Sequence, residues 1–470
     1  MTVVLPMHSG PLAGTRTLDE ADLFALEDAL TDAAGTGDIA PFDPQQVLLP
    51  QLRELAPTVQ SIAVLAPSQR DMFIHYVRAP ADPTYVLGFG IGLQPDVDPE
   101  KWTESLRAAE QAAPTFRSRY FEFAEGFFQV LDSAVVSPVE IVYLDREDPD
   151  AARKATQAAL DCPFDLFEGA VRHLLLIGEQ GATAVLVCHH IAIDTTSAVL
   201  FFNLVFSAYT GGHVRTDTRF IDWATQAVDI TDTPQALAER RDMFSTVEPL
   251  LHAADVAAQS VQYAQRAQLD GADVARLTSW CTRHKLQPAS LLKCIAGCLL
   301  ARRFKPAAAF VLYDVVSGRT LNHFTTVGCL YRILGLPFPV ADIATVNVAE
   351  LATRFQRLHH EQVRSPMSLL AASGLPGNAG APILLNYFDH AGVAPLLEPT
   401  GASHPGLQPA QFSVHERMRI GPGETHLRFD RDRDGLRVSV RSRHPAFSSF
   451  PFADEMTTAV KTLVSGAAST

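Results

Sequence analysis

Two apolar runs, Arg172 to Ile177 and Ala182 to Cys188, flank a glycine-bearing turn at Gly178 to Gly181, and the second leads straight into His189-His190-Ile191-Ala192-Ile193-Asp194. Short apolar runs bounded by glycine read as a buried strand pair. A helical stretch of about 15 residues follows from Thr195 and stops at Gly211-Gly212, where glycine readily ends a helix. Strand, tight turn, strand, polar loop and helix constrain everything else. The chain must build a sheet covered by helices, with one strand end open at a pair of histidines.

The same alternation recurs along the 470 residues. Tyr85 to Leu93 reads as a strand. Pro99 to Ala113 reads as an amphipathic helix with Trp102, Leu106 and Ala109 on one side. Phe121 to Leu131 and Val139 to Leu144 read as single strands. In the second half, Asp273 to His284, Ser290 to Arg303, 350–363 and 452–465 read as helices. Ala309 to Val316, Ile383 to Tyr387, His426 to Phe429 and Leu436 to Arg441 read as strands. No short repeat is present, which excludes a solenoid. The expected fold class is α/β with mixed (α+β) sheets, in two halves joined between Ile230 and Ala254.

Residues 1–57 differ from the rest, with nine acidic residues against Arg16 and Arg53. Thr17-Leu18-Asp19-Glu20 reads as a capping box. Leu23, Leu26 and Leu30 share a helical face, and a Gly/Pro/Asp-rich connection runs from Gly35 to Pro44. This segment is read as an appended helical piece that packs on the body or docks a partner. Residues 58–240 and 241–470 are then the two lobes. Hydrophobic residues make up 47% and charged residues 19%, a balance that suits packed cores. The net charge of −14 argues against a nucleic-acid binder. No apolar run reaches the ~20 residues of a membrane helix, and the start lacks a secretion signal, so a cytoplasmic protein with no membrane partner is expected. The scattered cysteines, including Cys294 and Cys298, read as core thiols rather than zinc ligands or disulfides.

Adjacent strand residues face opposite ways, so one histidine of the pair can face a cleft while the other turns inward. The same geometry argues against a shared metal, and the string does not match the His-Glu-x-x-His pattern of zinc proteases. Asp194, at the turn into the helix, can cap that helix or pair with a buried arginine. Three other strings carry no chemistry. Gly88-Phe89-Gly90-Ile91-Gly92 is not a dinucleotide fingerprint, because its third glycine comes too soon. Asp430-Arg431-Asp432-Arg433-Asp434 before Gly435 reads as a charged hairpin turn. His359-His360-Glu361 reads as the solvated face of a helix.

The histidine segment resembles the His-His-x-x-x-Asp-Gly motif of condensation domains from nonribosomal peptide synthetases, members of the chloramphenicol acetyltransferase-like superfamily. Other segments resemble that family in the same order. They are Leu65-Ala66-Pro67-Ser68-Gln69-Arg70-Asp71-Met72-Phe73, Pro163-Phe164-Asp165-Leu166 with Gly169 and Arg172, and Phe220-Ile221-Asp222-Trp223-Ala224. Later come Val316-Ser317-Gly318-Arg319, Val327-Gly328-Cys329-Leu330 and Leu384-Leu385-Asn386-Tyr387. The resemblance spans roughly residues 60 to 465. The chain departs from the pattern at Thr195, where the family has Gly. It departs again at Ala112-Ala113-Pro114-Thr115-Phe116-Arg117, which keeps only the last residue of Arg-His-x-x-Leu-Arg.

The resemblance implies two chloramphenicol acetyltransferase-like lobes in a V-shaped pseudo-dimer, with the active site in a tunnel between them. It implies an acyltransferase that joins a carrier-protein-bound acyl or peptidyl thioester to an amine or hydroxyl. No cofactor is bound permanently. Substrates arrive on the phosphopantetheine arm of an acyl or peptidyl carrier protein, with a small-molecule or carrier-bound acceptor, and a monomer is expected. His190 is the catalytic imidazole and His189 supports the loop. Asp194 is structural, with Arg319 as its first expected partner and Arg117 as the second. Ser317 and Gly318 shape the backbone near the site, and Thr195 and Asn386 border the tunnel. No metal is involved. Two other functions stay open: an acyl-coenzyme A dependent acyltransferase of the same fold, and a non-catalytic module that recruits carriers.

Overall fold

The computed structural model describes residues 43–123, 126–145, 150–179, 181–224, scattered positions between 238 and 251, and residues 262–307, 309–340, 347–362, 382–390, 412–416 and 424–466. The capping box at Thr17 and the face of Leu23, Leu26 and Leu30 lie outside these residues, as does most of the expected joint between Ile230 and Ala254.

The acidic segment ends in α1 (Pro44–Leu55). Asp43 caps this helix by accepting the Gln45 amide, and Pro44 occupies the first turn, where its missing N–H costs nothing. Leu48, Leu49 and Leu52 of α1 share a small core with β1 (Val59–Val64). Then follow α2 (Pro67–Arg78), β2 (Val86–Leu93), α3 (Pro99–Ala112), β3 (Ser118–Phe123), β4 (Gly126–Asp132), β5 (Val139–Tyr143), α4 (Ala151–Asp161), β6 (Val171–Gly178), β7 (Gly181–His189) and α5 (Thr195–Tyr209). The run expected as one strand from Phe121 to Leu131 is two, β3 and β4, paired antiparallel. The chain reverses at Gly126, whose φ of +138° lies in the region that favours glycine. With β1 these strands form a three-stranded sheet in the order β1-β4-β3.

β2, β7, β6 and β5 pair in that order, and β7 alternates cleanly between two helical layers. Ala184, Leu186 and Cys188 join the core that holds Trp102 and Leu106 of α3 with Phe201, Phe202 and Phe206 of α5. Val185 and Val187 face Leu160 of α4. A strand covered on both faces needs apolar residues at every position, which is why its sequence reads as a continuous apolar run.

The second half contributes β8 (Tyr263–Asp270), α6 (Gly271–His284), α7 (Pro288–Phe304), β9 (Phe310–Ser317), β10 (Tyr331–Phe338), α8 (Val348–Gln362), β11 (Ile383–Asp389), β12 (Phe412–Glu416), β13 (Thr425–Arg431), β14 (Gly435–Ser442) and α9 (Phe452–Val464). Six of its strands form one mixed sheet, ordered β10-β9-β11-β13-β14-β8. β11 runs parallel to both β9 and β13, and the other pairs are antiparallel. The four helices bury one face, with Leu277, Leu291, Phe355 and Met456 packed on Leu312, Leu385, Phe429 and Val438. Tyr313, Ile333 and Leu384 lie on the opposite face against Phe244 and Val247.

The two halves are stitched together. β12 leaves its own half and pairs antiparallel with β2, from Phe412↔Ile91 to Glu416↔Leu87. Val327, Cys329 and Leu330, also from the second half, are buried in the core of the first. The open end of β7 therefore sits against the second half.

His359 of α8 corrects one expectation. Its ring is not solvated, because Nδ1 lies 2.9 Å from Asp314 Oδ2. The other oxygen of Asp314 lies 2.5 Å from Lys293 Nζ. Asp314 is wholly buried in β9, and a buried carboxylate needs such partners.

Candidate active site

Backbone pairing fixes the two histidines before their side chains act. The His189 amide donates to the Ala170 carbonyl at 2.9 Å, and the His190 amide donates to that of Tyr85 at 2.8 Å. The Ala192 amide turns back onto the His189 carbonyl at 3.0 Å, so the strand ends in a tight reversal. Gln69 of α2, itself fully buried, clamps this turn by donating to the Ile191 carbonyl at 2.9 Å. Gln69 stands in the opening motif of the chain, but nothing in the sequence pointed to its role in holding the histidine turn.

The rings differ in environment and in tautomer. His189 is buried, and burial, followed by the neighbouring His190 and His75, pushes its pKa down to about 3. The Ile191 amide donates to His189 Nδ1 at 3.2 Å, so this neutral ring carries its proton on Nε2. His190 is half-buried, and its Nδ1 lies 2.8 Å from the Ile193 carbonyl, which can only accept. Its Nδ1 therefore carries a proton, and in the neutral tautomer that this selects, the lone pair lies on Nε2. The ring lies 4.8 Å, centroid to centroid, from that of Tyr331, tilted by 33°.

Asp194 ties the loop to the second half. One carboxylate oxygen accepts the Ser197 amide at 2.7 Å, capping α5, and also accepts Arg319 Nη2 at 2.8 Å. The other accepts the Leu330 amide at 3.1 Å. The Arg319 side chain is only 4% exposed. It also donates to Ser197 Oγ at 2.7 Å and to the carbonyls of Thr326, His323 and Phe324. Ser197 Oγ in turn donates to the Gly328 carbonyl at 2.6 Å and accepts the Gly328 amide at 2.9 Å.

Glycine at 318 and 328 lets these strands approach. The Gly318 amide donates to the Leu330 carbonyl at 2.7 Å, and its own carbonyl accepts Trp223 Nε1 at 2.9 Å. A Cβ on Gly318 would overlap the Leu330 carbonyl oxygen, and one on Gly328 would overlap the Phe220 ring. The motifs around Asp194, Phe220, Ser317 and Val327 thus converge on one hydrogen-bonded node behind His190.

The other expected site residues fall around this node or away from it. Ser317 is exposed and accepts the Arg319 amide at 3.3 Å. Thr195, half-buried, is the first residue of α5. Asn386, half-buried, pairs in register with Val315 and Arg428 and shares a face of its sheet with Leu384. Arg117 is not a partner of Asp194. The carboxylates that act on its guanidinium are Glu110 and Asp132, and burial lowers its pKa. Among the described residues no cluster of His, Cys, Asp and Glu could hold a metal, and no helix is long and apolar enough to cross a membrane.

The sequence profile of the condensation domain matches residues 59–357. The chain belongs to the condensation domain family. Condensation domains are acyltransferases that form amide or ester bonds. Solved structures of the family share the fold. The condensation domain of Monacolin K polyketide synthase aligns with a TM-score of 0.70 and 15% identity, over 87% of this chain and 98% of that one. The first condensation domain of the calcium-dependent antibiotic synthetase aligns at 0.65 and 17%, over the same shares of 87% and 98%. The starter condensation domain of rhizomide synthetase, solved in complex with C8-CoA, aligns at 0.64 and 16%, over 86% and 95%. The fold of this condensation domain is accordingly the two-lobed, chloramphenicol acetyltransferase-like pseudo-dimer. A linear gramicidin synthase of Brevibacillus parabrevis is 25% identical over 188 residues. That match covers 37% of this chain and only 2% of the much longer synthase.

Proposed function

We propose that this condensation domain moves an acyl or peptidyl group from the phosphopantetheine thioester of a carrier protein to an amine or hydroxyl, with His190 as the base. The observation that carries this reading is the 2.8 Å contact between His190 Nδ1 and the Ile193 carbonyl. It presents a basic Nε2 from a half-buried ring where the first half meets the second.

The step balances without a covalent enzyme intermediate. The acceptor nitrogen or oxygen attacks the thioester carbon, and His190 Nε2 takes the proton that the acceptor loses. The carbonyl electron pair moves onto oxygen. When that pair returns, the C–S bond breaks and the thiolate takes the proton from the imidazolium. The products are an amide or ester, a free thiol and the original imidazole. Asp194 and Arg319 hold the loop, and neither touches the reacting atoms. Thr195 and Asn386 border the path of the substrate. A site screened from water also suppresses hydrolysis of the thioester.

The rhizomide starter domain, solved with C8-CoA, favours a second reading in which coenzyme A itself carries the donor. One experiment separates the two. Intact-protein mass spectrometry follows the mass of a loaded carrier after this chain and candidate acceptors are added, beside parallel reactions with acyl-coenzyme A. Loss of the acyl mass from the carrier, with product appearing, supports the first reading. Turnover of acyl-coenzyme A alone supports the second. No product from either donor contradicts both.

A further inference from the structure

The proposed chemistry leaves one charge unattended. As the acceptor attacks, negative charge builds on the carbonyl oxygen of the thioester, and His190, which takes the proton, does not stabilise it. A preorganised hydrogen-bond donor aimed at that oxygen commonly supplies the largest single share of catalysis in acyl transfer. The side-chain donors that grip the histidine loop are committed to protein acceptors. The two terminal nitrogens of Arg319 are spent on Asp194, Ser197 and three backbone carbonyls. Gln69 is spent on the Ile191 carbonyl.

Tyr331 brings a phenol beside the proposed base. Its ring is the one that lies 4.8 Å from the His190 ring. Its backbone is held from both sides. The preceding amide, that of Leu330, donates to Asp194, and the Tyr331 carbonyl accepts Ser68 Oγ at 2.9 Å. In the sheet its Cα registers with that of Ser317, at the start of the β9–β10 ladder. The residue is only half-buried, and among the described residues no protein group takes its phenolic proton. The phenol is therefore a donor available to an acceptor from outside the protein, beside the ring of His190.

We infer that the Tyr331 hydroxyl donates a hydrogen bond to the thioester carbonyl oxygen and to the tetrahedral oxyanion that follows, while His190 handles the proton. The inference rests on the function proposed above and adds a second catalytic group to it. The phenol also stays protonated, as a donor must. Burial, then the neighbouring Cys329, Tyr85, Asp71 and Glu424, push it well above its ordinary value. The bond forms to an oxygen already present in the substrate, so it adds no atoms and no electrons to the balance.

Tyr331→Phe removes one oxygen and keeps the ring, whereas Tyr331→Leu removes both. Full-length wild type, these two variants and His190→Ala are compared for product formation from a carrier-bound thioester, with thermal midpoints as a check on folding. The account expects Tyr331→Phe to lose about 10²-fold in kcat, the scale of one oxyanion donor. The acceptor KM and the thermal midpoint should stay near wild type. Wild-type turnover by Tyr331→Phe overturns the inference, whether or not Tyr331→Leu is impaired, because the ring alone would then suffice. That result, with His190→Ala inactive, leaves the proposed function standing. If wild type makes no product, or His190→Ala matches it, the proposed function fails and the role of Tyr331 falls with it.

Discussion

Arg319 reaches across 125 positions of sequence to meet Asp194 at 2.8 Å, tying the loop that carries His190 to the end of β9. The pair is almost wholly out of water, with side-chain exposures of 4% and 10%. Its value lies less in the attraction itself than in what happens when one partner is removed.

Arg319→Ala leaves the Asp194 carboxylate facing two amides with no countercharge. Losing one member of a buried pair typically costs about 3–5 kcal/mol. Urea unfolding of the variant should therefore move to clearly lower midpoints. Arg319→Lys should recover only part of the loss, since one ammonium cannot serve Asp194, Ser197 and three carbonyls together. An Arg319→Ala protein as stable as wild type would mean that the node does not hold the loop.

A second buried pair sets an acid limit on stability. Burial alone would raise the Glu110 pKa, but the hydrogen bond and charge of His173 and the charge of Arg107 outweigh it and hold the carboxyl below its ordinary value. His173 Nε2 lies 2.8 Å from Glu110 Oε1. A carboxyl depressed in the folded state contributes stability above its unfolded value, near pH ~4.3, and that stability is lost as pH falls through the folded value. Thermal midpoints measured from pH 7 downward should fall below about pH 4, and Glu110→Gln should flatten that limb. An unchanged acid limb in Glu110→Gln would refute the assignment.

The buried trio Lys293, Asp314 and His359 makes a different prediction. Asp314→Ala strands the Lys293 ammonium in the core, at a cost of about 3–5 kcal/mol. The double variant Lys293→Met/Asp314→Leu removes both charges and should be markedly more stable than Asp314→Ala in denaturant titration. If the double variant is the weaker of the two, the charges are not the reason these residues are there.

How much of this the sequence disclosed depends on where each partner lies. The β6–turn–β7–α5 unit was legible because its contacts are local and its burial is two-sided, so apolar runs and glycines marked it. The site motifs were legible as an ordered set, and those around Asp194, Phe220, Ser317 and Val327 meet at one node. Pairing between distant segments was not. β12 adds to β2 from the far end of the chain, and no periodicity within Phe412–Glu416 announces a partner in the other half. β8 was missed because its residues are largely polar, as suits a strand at the edge of its sheet. His359 misled because a histidine on an amphipathic helix reads as solvated until Asp314 is found beneath it. Tyr331 directly follows a recognised motif, yet only the folded chain brings its ring to His190.

The central claim is that the Nε2 lone pair of His190 accepts the proton of the acceptor. The most direct measurement is the single-turnover rate of product formation on a loaded carrier, wild type against His190→Ala, with folding checked by thermal midpoint. Loss of a general base predicts a fall of about 10²–10⁴-fold in a protein that is still folded. Transfer by folded His190→Ala at the wild-type rate would contradict the account.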